Sequence, residues 1–565
     1  MHRNRTWQID PTELRTQRNR ILPIEGGDGS TLNLDFTTGV LDPRLTFSRA
    51  STATFVNSSG YVEYAGANML VNSPMQDAAS PASGWNFFSI TGGTISIPTT
   101  GSRKVATTGA SQQPFTHQTL TISQGLTFTL SLVVTEITGT ISYQNICGVD
   151  GAASSQLWVN GVNITATSSQ AAVGNYCLIF VGGSGSHTIR IGTGASSASA
   201  GVCSMTFHSA RVQPGSFTTT TYIPSTLTAA YHAPRFDYSP TNIGEPRGLL
   251  LEAPATNLIR RSQEFSNSAW DTYNITSRTD NAATGPDNLT SATRVVLAGQ
   301  YAIVYQGVST TAGVTYTFSF WAKRESGNTA FVIHHNFSAT GSNTAFTMTD
   351  NWQRYEVSVL GKTGGGFVEW GVQDRNVSGQ GTILLWGAQL EVGSGASSYI
   401  PTGASQVTRN TDICYADGAN FTSWYTQGIG TCLFVGQHNK VGAAHYANFS
   451  TGTNAPRVTL YSGGSAAAIY SENTGVNASF SSVGTITTSV FKAAMVFQTG
   501  NYLVVLNGGA VASGTTSSPL MASALTRLNI GMSEGQTSQP NGYVRQLKYY
   551  PTAFTAAQLQ ILTTP

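Results

Sequence analysis

The sequence predicts an all-β fold, built from tandem antiparallel β-sandwiches of the jelly-roll type and preceded by a short helical or extended arm. Only 10% of the 565 residues are charged and 40% are hydrophobic, so Ser, Thr, Asn, Gln and the 60 Gly must supply most of the polar surface. This composition favours strands joined by tight turns. Segments such as "VTYTFSFWAK" and "RYEVSVL" alternate apolar and polar residues, as strands do.

Length and charge limit the classes of function. A chain of this length is too long for one hydrophobic core and predicts three or four domains. The net charge is +2, so we expect no attraction to nucleic acid or to an anionic membrane. No apolar segment follows Met1 or reaches the length of a membrane span, which predicts synthesis in the cytoplasm and no membrane insertion. The five cysteines are odd in number and form no CxxC pair, which predicts buried, reduced thiols.

Residues 1–33 differ from the rest in their high content of arginine. The segment "DPTELRTQRNR" predicts a short helix, whose apolar face is too thin for it to be stable alone. One interpretation is an arm that orders against a partner protein, and the other is a frayed polar terminus. The residues that would anchor such an arm are Arg3, Arg5, Trp7, Arg15 and Arg18.

An internal duplication accounts for much of the chain. "NMLVNSPMQDAASPASGW" opens at Asn68 and "NLIRRSQEFSNSAW" opens at Asn257, and alternating strands follow each. Each unit then closes with a similar segment, "TTTTYIPS" or "GASSYIPT". Because head and tail match in order and over comparable spans, we interpret residues 68–230 and 257–407 as two copies of one jelly-roll domain. Tyr222 and Tyr399 in the closing segments should pack within the sandwiches.

Several of these segments resemble one family of proteins. "FSRASTATFVNSSGYVEYAGAN" and "APRFDYSPTNIGEPRGLLLEAPATNLIRRSQEFSNSAW" look like the two halves of one segment in virion proteins of bacteriophages and prophages. In that family the halves adjoin and lead into a carbohydrate-binding-module-like jelly roll that ends in a "WGAQLE…SYIPT" strand. The C-terminal "NGYVRQLKYYPTAFTAAQLQIL" is similar to the closing strand and helix of the family's concanavalin-like or laminin-G-like lectin domain.

The resemblance implies a five-part organisation. Residues 1–33 would anchor the chain to the virion. Residues 34–67 and 231–256 would pair with each other as a small β platform, which is split by insertion of the first jelly roll, residues 68–230. The second jelly roll, residues 257–407, and the lectin-like domain, residues 408–565, would follow.

The resemblance also implies a function. Family members resemble tail fibres, spikes or head fibres, and they are usually homotrimers. This chain would then be a receptor-binding adhesin of a phage tail fibre or tail tip, and its partners would be copies of itself, other virion proteins at the N-terminus and a host glycan. Binding would be multivalent and non-catalytic. Two alternatives stay open: a head fibre or capsid decoration protein without an essential receptor, and a polysaccharide depolymerase tailspike.

The sequence lacks the patterns expected of an enzyme. Glycosidases place two carboxylates around one glycosidic bond, whereas Glu369, Asp374 and Glu391 are isolated in the sequence. His334 and His335 are adjacent and should point to opposite faces of a strand, so they cannot readily share a metal ion. There is no HExxH or P-loop motif. We therefore expect a protein that is not an enzyme.

Two tryptophans are the candidates for stacking against a sugar ring. Trp158 in "SSQLWVNG" and Trp424 in "FTSWYTQG" lie in polar, turn-rich surroundings, where an exposed aromatic ring can meet a ligand. The remaining tryptophans of interest look structural. Those in apolar strands are Trp321 and Trp386, and those that look like anchors are Trp85, Trp270 and Trp352.

No cofactor is predicted, and calcium is an alternative. Glu264 in the head and Glu391 in the tail of the second repeat could converge and offer hard oxygen ligands. The first repeat has Gln213 in its tail, so the pair does not recur. A salt-bridge or hydrogen-bonding role is therefore the favoured interpretation of both glutamates.

Overall fold

The computed structural model describes residues 28–73, 75, 84–89, 93–194, 201–219, 221–225, 229–335, 342–361, 364–374, 381–453, 456–464, 466–473, 476–479, 483–498, 501–514 and 525–565. The fold is all-β, as predicted, with antiparallel strands arranged in sandwiches. Among the residues described, the helices are Ala419–Thr422 and Ala556–Thr563, with 3-10 turns at Phe36–Thr38 and Tyr143–Asn145. Within the described ranges, no helix is long and apolar enough to cross a membrane. The predicted anchoring residues Arg3, Arg5, Trp7, Arg15 and Arg18 lie outside them.

The first jelly roll packs a seven-stranded sheet against a four-stranded sheet. In spatial order, the larger sheet contains Val162–Asn163, Ala152–Val159, Gly174–Gly182, Thr127–Thr138, Ser204–Pro214, Arg103–Ala106 and Thr94–Ser96. The smaller contains Cys147–Asp150, Ser186–Gly192, Phe115–Thr121 and Asn86–Phe88. Alternate residues of the strands point inward, so Leu130, Tyr176 and Phe207 meet in the core.

The second jelly roll packs two five-stranded sheets. The first sheet contains Asp271–Tyr273, Ile303–Thr310, Gly366–Asp374, Ala330–His335 and Ser342–Thr347. The second contains Ile275–Thr284, Thr290–Leu297, Gly381–Val392, Thr315–Gly327 and Gln353–Leu360. Phe318, Trp370 and Leu390 lie in the core between them.

The C-terminal unit is the largest sandwich. One sheet contains Phe236–Tyr238, Pro246–Leu251, Gly542–Tyr550, Ile429–His438, Phe491–Gln498, Asn501–Leu506 and Val511–Gly514, with Leu32–Asp35 also paired to Gly542–Tyr550. The other contains Thr46–Ser48, Ile413–Asp417, Arg527–Ile530, Gly442–Ser450, Arg457–Gly464, Ala467–Asn473 and Val476–Ser479. The predicted C-terminal helix forms at Ala556–Thr563, behind a capping box of Thr555 and Gln558.

The two halves of the expected platform contribute strands to this unit instead of forming a separate small sheet. Leu32–Asp35 and Pro246–Leu251 both pair with Gly542–Tyr550, and Thr46–Ser48 pairs with Ile413–Asp417. The reason is burial, because leucines of these strands enter the core of the C-terminal unit. These leucines are Leu32, Leu34, Leu249 and Leu251.

The halves also meet each other at one short ladder. Ala67–Asn68 pairs with Tyr231–His232, directly at the two ends of the first jelly roll. A similar ladder, Ala255–Asn257 with Val407–Arg409, joins the two ends of the second jelly roll. Thr54–Val56 and Val62–Tyr64 form a separate hairpin beside the second jelly roll. Both jelly rolls are thus inserted as loops whose ends lie side by side.

The duplication is visible in matching hydrogen bonds between head and tail. In each copy, the side-chain amide of the first Asn donates to one carbonyl of the last strand and one of the closing segment. The pairs are Asn68 with Ala210 and Ile223, and Asn257 with Ala388 and Ile400, at 2.9–3.1 Å. In each copy, the side-chain amide of one Gln also accepts a hydrogen bond from the backbone nitrogen of a head residue and donates one to the carbonyl of the same residue. These pairs are Gln118 with Val71 and Gln306 with Arg260.

The tyrosines of the closing segments also join head to tail, and we call the head-to-tail hydrogen bonds of each jelly roll its clasp. Tyr399 is 2% exposed, and its hydroxyl lies 2.6 Å from Ser262 Oγ. Tyr222 is half-buried, and its hydroxyl lies 3.1 Å from Ser73 Oγ. Both tyrosines therefore connect head to tail, and Tyr399 packs within its sandwich as the sequence predicted.

Candidate functional site

One face of the first sheet of the second jelly roll carries a row of five residues, which we call the Tyr305 face. The strand register places Asp271 opposite Tyr305, Gly371 beyond it, then His334 and finally Asn343. Opposite residues on neighbouring strands point to the same side of a sheet, so the row crosses all five strands on one face. The intervening residues, among them Val304, Ile333 and Trp370, point into the core.

The centre of the Tyr305 face has no side chain. A Cβ at Gly371 would lie 2.3 Å from the Val304 carbonyl oxygen and 2.6 Å from Tyr305 Cβ, so this position requires glycine. The rings of Tyr305 and His334 belong to the strands on either side. Gly371 is itself buried, so the row presents the Tyr305 ring and the His334 imidazole on either side of a position that carries no side chain.

Hydrogen bonds orient the polar side of the face. His334 Nδ1 lies 3.0 Å from Asn343 Oδ1, and His334 Nε2 lies 3.3 Å from Glu369 Oε2. Glu369 is two residues from Gly371 on the same strand and so shares its face. Partial burial, followed by the negative charges of Glu369 and Asp271, raises the pKa of Tyr305. Its hydroxyl is therefore protonated at neutral pH and can both donate and accept a hydrogen bond.

Exposed aromatic rings extend the face in both directions. Tyr273 is 60% exposed and Phe367 is 63% exposed, and both have the strand parity of the row. The ring of Phe367 lies over Gly307, where a Cβ would come within 1.6 Å of it. Flat aromatic surfaces surrounded by a few fixed carboxylate, amide and imidazole groups suit the binding of a sugar, whose ring has an apolar face and a polar rim.

The first jelly roll has a different set of residues at the equivalent positions. Its register aligns Asn86, His117, Arg190 and Gly148 in one row. Gln118 and Gln306 are equivalent in the two copies, so their preceding residues His117 and Tyr305 are equivalent too. Arg190 pairs with His117 as Gly371 pairs with Tyr305, and it therefore takes the place of Gly371. The Arg190 guanidinium lies 5.3 Å from the centroid of the Phe115 ring and forms an ion pair with Asp150. Arginine thus occupies the centre of the first row, where the second copy has a glycine.

Trp424, one of the two predicted sugar-stacking residues, is in the core, so that prediction is wrong. Its side chain is 5% exposed and contacts Phe421, Phe449 and Tyr549, and its Nε1 donates to the carbonyl of Asn420 at 2.7 Å. Several residues around it in sequence are polar, but Phe449 and Tyr549, which cover it, come from strands that are distant in the chain.

Trp158, the other predicted residue, is half-buried on the strand Ala152–Val159. Leu157 and Val159 enter the core, so Trp158 lies on the outer face of the seven-stranded sheet. Its indole nitrogen is buried and has no acceptor within the described part of the chain. The role of Trp158 in sugar binding stays a prediction.

The two glutamates proposed for calcium have other partners. Glu264 forms an ion pair with Arg261 at 3.0 Å. Glu391 is 2% exposed and accepts hydrogen bonds from the backbone nitrogen and the hydroxyl of Ser397, each at 3.1 Å. Burial raises the pKa of Glu391. Over the described residues, no three His, Cys, Asp or Glu side chains are placed to hold a metal ion.

The remaining sequence predictions have mixed outcomes. All five cysteines are free and buried, and Trp85, Trp270 and Trp386 are buried, as expected. Trp321 and Trp352 are only half-buried and line a cavity. The residues of the Tyr305 face were missed. The available signal was their outward phase in alternating strands, "AIVYQG" for Tyr305 and "FVIHH" for His334.

A scan against models of protein families finds no match, and a search of curated proteins finds none either. Among solved structures, the chain is similar to the CBM40 domain of the Ruminococcus gnavus IT-sialidase bound to α2,3-sialyllactose (11% identity, 26% of this chain, 88% of that chain, TM-score 0.23). It is similar to domain 4 of AbnA, a GH43 extracellular arabinanase from Geobacillus stearothermophilus, in complex with arabinotriose (14% identity, 30% of this chain, 82% of that chain, TM-score 0.23). Domains LG4-5 of the mouse laminin α1 chain are also similar (7% identity, 46% of this chain, 91% of that chain, TM-score 0.19). The strand pairing itself shows that the chain is an all-β protein of tandem sandwiches.

Proposed function

We propose that this protein binds glycans without catalysis, through the Tyr305 face of its second jelly roll. The observation that carries the proposal is the row in which Asp271, Tyr305, His334 and Asn343 lie on either side of Gly371 on one face of the sheet. A pyranose ring placed there would stack on Tyr305 and exchange hydrogen bonds with the flanking polar groups.

A single site of this kind binds weakly. It is shallow, so a sugar would bury only one of its faces and keep much of its hydration. Several copies of the chain on one particle would bind a repeated surface glycan together, and the avidity would exceed the affinity of each site.

The biological setting that we propose is a bacteriophage virion, with the chain as a tail-fibre or tail-tip receptor-binding protein assembled in the host cytoplasm. This part rests on the resemblance of the segments at residues 47–68 and 233–270 to phage virion proteins. The chain would form a homotrimer, contact other virion proteins through residues 1–33 and bind a host surface glycan. Labelling the chain on intact virions and imaging them by electron microscopy tests the location, and a label on the capsid would favour a head fibre instead.

The binding site is tested with a glycan array and a cell-binding assay on the purified chain. Tyr305→Ala should lose about tenfold or more in affinity for the bound glycan, because the stacking surface is removed. Tyr305→Phe should retain most of the binding, since it keeps the ring. Leu360→Ala changes an exposed residue on the opposite sheet and serves as the control. Equal binding by Tyr305→Ala and the wild type would refute the proposed site.

A depolymerase is the second candidate function, favoured by one observation. Asp271 and Glu369 both lie close enough to Tyr305 to raise its pKa, so two carboxylates share the face where a sugar would bind. Incubation with host capsule or lipopolysaccharide, followed by chromatography of the soluble fraction, distinguishes the two functions. Released oligosaccharide that disappears in Glu369→Gln would replace the non-catalytic proposal with the enzymatic one.

A further inference from the structure

A cavity of about 510 Å³ lies where three parts of the chain meet. The second jelly roll forms one wall, the hairpin at residues 54–64 forms another, and the C-terminal unit contributes Asn439 and Tyr543. Its volume falls within the range of about 300–1,000 Å³ that is typical of ligand sites, and such sites are common at boundaries between domains.

Two tryptophans with fixed orientations line this cavity. The ring of Trp321 meets the rings of Trp386 and Tyr399 edge-on, with centroids 5.2 and 5.6 Å apart. Trp352 donates from Nε1 to the carbonyl of Thr284 at 3.0 Å, which fixes its plane. Tyr61, 39% exposed, lines the cavity from the hairpin. Aromatic rings held in this way lose little conformational entropy when a ligand stacks on them.

Polar groups accompany the rings. Arg354 donates to the Ser397 carbonyl at 2.8 Å and to Ser319 Oγ at 2.9 Å, and its guanidinium carbon lies 4.4 Å from the Trp321 ring centroid. The Nε of Arg354 is buried and has no acceptor within the described ranges of the chain. Glu356 is exposed and accepts a bond from the backbone nitrogen of Ala396 at 3.2 Å.

The charges of the lining nearly cancel. Two guanidinium groups, Arg247 and Arg354, share the cavity with two carboxyl groups, Asp237 and Glu356. A strongly charged ligand would therefore meet both attraction and repulsion. A neutral molecule with hydroxyl groups around an apolar ring face matches the lining better.

We propose that this cavity is a second saccharide-binding site, which takes a short segment of neutral oligosaccharide with one ring against Trp352. The proposal shares its ligand class with the proposed function but concerns a different surface. Trp321 belongs to the second sheet of the jelly roll and Trp352 directly precedes its strand Gln353–Leu360, whereas the Tyr305 face belongs to the first sheet. One chain would thus hold two glycan segments, on opposite sheets of the same jelly roll.

The test uses the whole chain and an array of neutral di-, tri- and tetrasaccharides of glucose, galactose, mannose and N-acetylglucosamine, with sialyllactose as the charged comparison. Oligosaccharides that bind are then titrated by tryptophan fluorescence. Trp352→Ala removes the stacking surface, and Ala396→Trp fills the cavity from a half-exposed loop without opening a core. Each should weaken binding of at least one neutral oligosaccharide by about tenfold or more. Tyr305→Ala is the matched control for the first site.

The outcomes separate the two sites. Loss of one class of ligand in Trp352→Ala and Ala396→Trp, with that class retained in Tyr305→Ala, supports the cavity site. If both cavity variants bind every neutral oligosaccharide like the wild type, the cavity site is refuted. The Tyr305 face is then tested separately, by the binding of Tyr305→Ala. Binding of sialyllactose alone would also overturn the proposal, because it would show a preference for charge. Ala396→Trp keeps the test valid if Trp352→Ala proves unstable.

Discussion

Replacing Asp412 with Asn should strongly destabilise the protein, because Asp412 neutralises two buried arginines. Its Oδ1 lies 2.9 Å from Arg49 and its Oδ2 lies 2.5 Å from Arg235. Arg235 also pairs with Glu252 at 2.7 Å, and Arg409 lies 3.5 Å from the same carboxylate. All five side chains are at most 1% exposed.

The magnitude follows from the charge left behind. The native cluster contains three guanidinium groups and two carboxylates, whereas Asp412→Asn leaves three cations and one anion out of contact with water. Removing one partner from a buried pair typically costs about 3–5 kcal/mol, since the remaining charge has lost its compensation. In a unit of this size, that corresponds to a decrease in melting temperature of roughly 6–20 °C.

Scanning calorimetry and urea unfolding would measure the change. The transition that includes the C-terminal unit should move, because Arg49 and Arg235 come from the segments that complete its sheets. Glu325→Gln is the control, since it breaks the partly exposed pair of Arg294 and Glu325 and should cost less than about 1 kcal/mol. If Asp412→Asn shifts the transition no more than this control does, the cluster does not hold these segments together.

Three further predictions concern stability. Burial lowers the pKa of His232 and His335 to about 4, whereas a histidine in the unfolded chain titrates near 6.5. Between about pH 6.5 and 4 the unfolded state therefore binds a proton that the folded state does not, and up to about 3 kcal/mol of unfolding free energy per histidine should be lost as the pH falls. Urea midpoints measured across this range would show the loss. Asn68→Ala and Asn257→Ala should each cost about 2–4 kcal/mol in urea unfolding, because buried backbone groups of the clasp lose their partners; a cost below 1 kcal/mol would contradict the role of the clasp. Trp424→Ala should cost about 3–5 kcal/mol and leave the glycan profile unchanged, whereas a lost glycan would show that Trp424 contacts ligand.

The sequence was sufficient where the structural cause is local or repeated. Period-two alternation and the shortage of charge determined the all-β class, because each depends on neighbouring residues and on overall composition. The similar head and tail segments indicated the duplication. Asn68, Asn257 and Tyr399 in these segments form the clasp, which is the structural reason that both copies keep them. The terminal helix was equally predictable, since its capping box lies within four residues.

Only the tertiary structure decided which strands share a sheet and which side chains share a face. Leu34 pairs beside Leu547 across more than five hundred residues, and alternation shows that a strand has a buried face without showing what covers it. Trp424 looked exposed because its neighbours in sequence are polar, yet its partner Tyr549 comes from a distant strand. The Tyr305 face has the same cause. Its five residues come from five strands, and only the register of those strands brings them into one row.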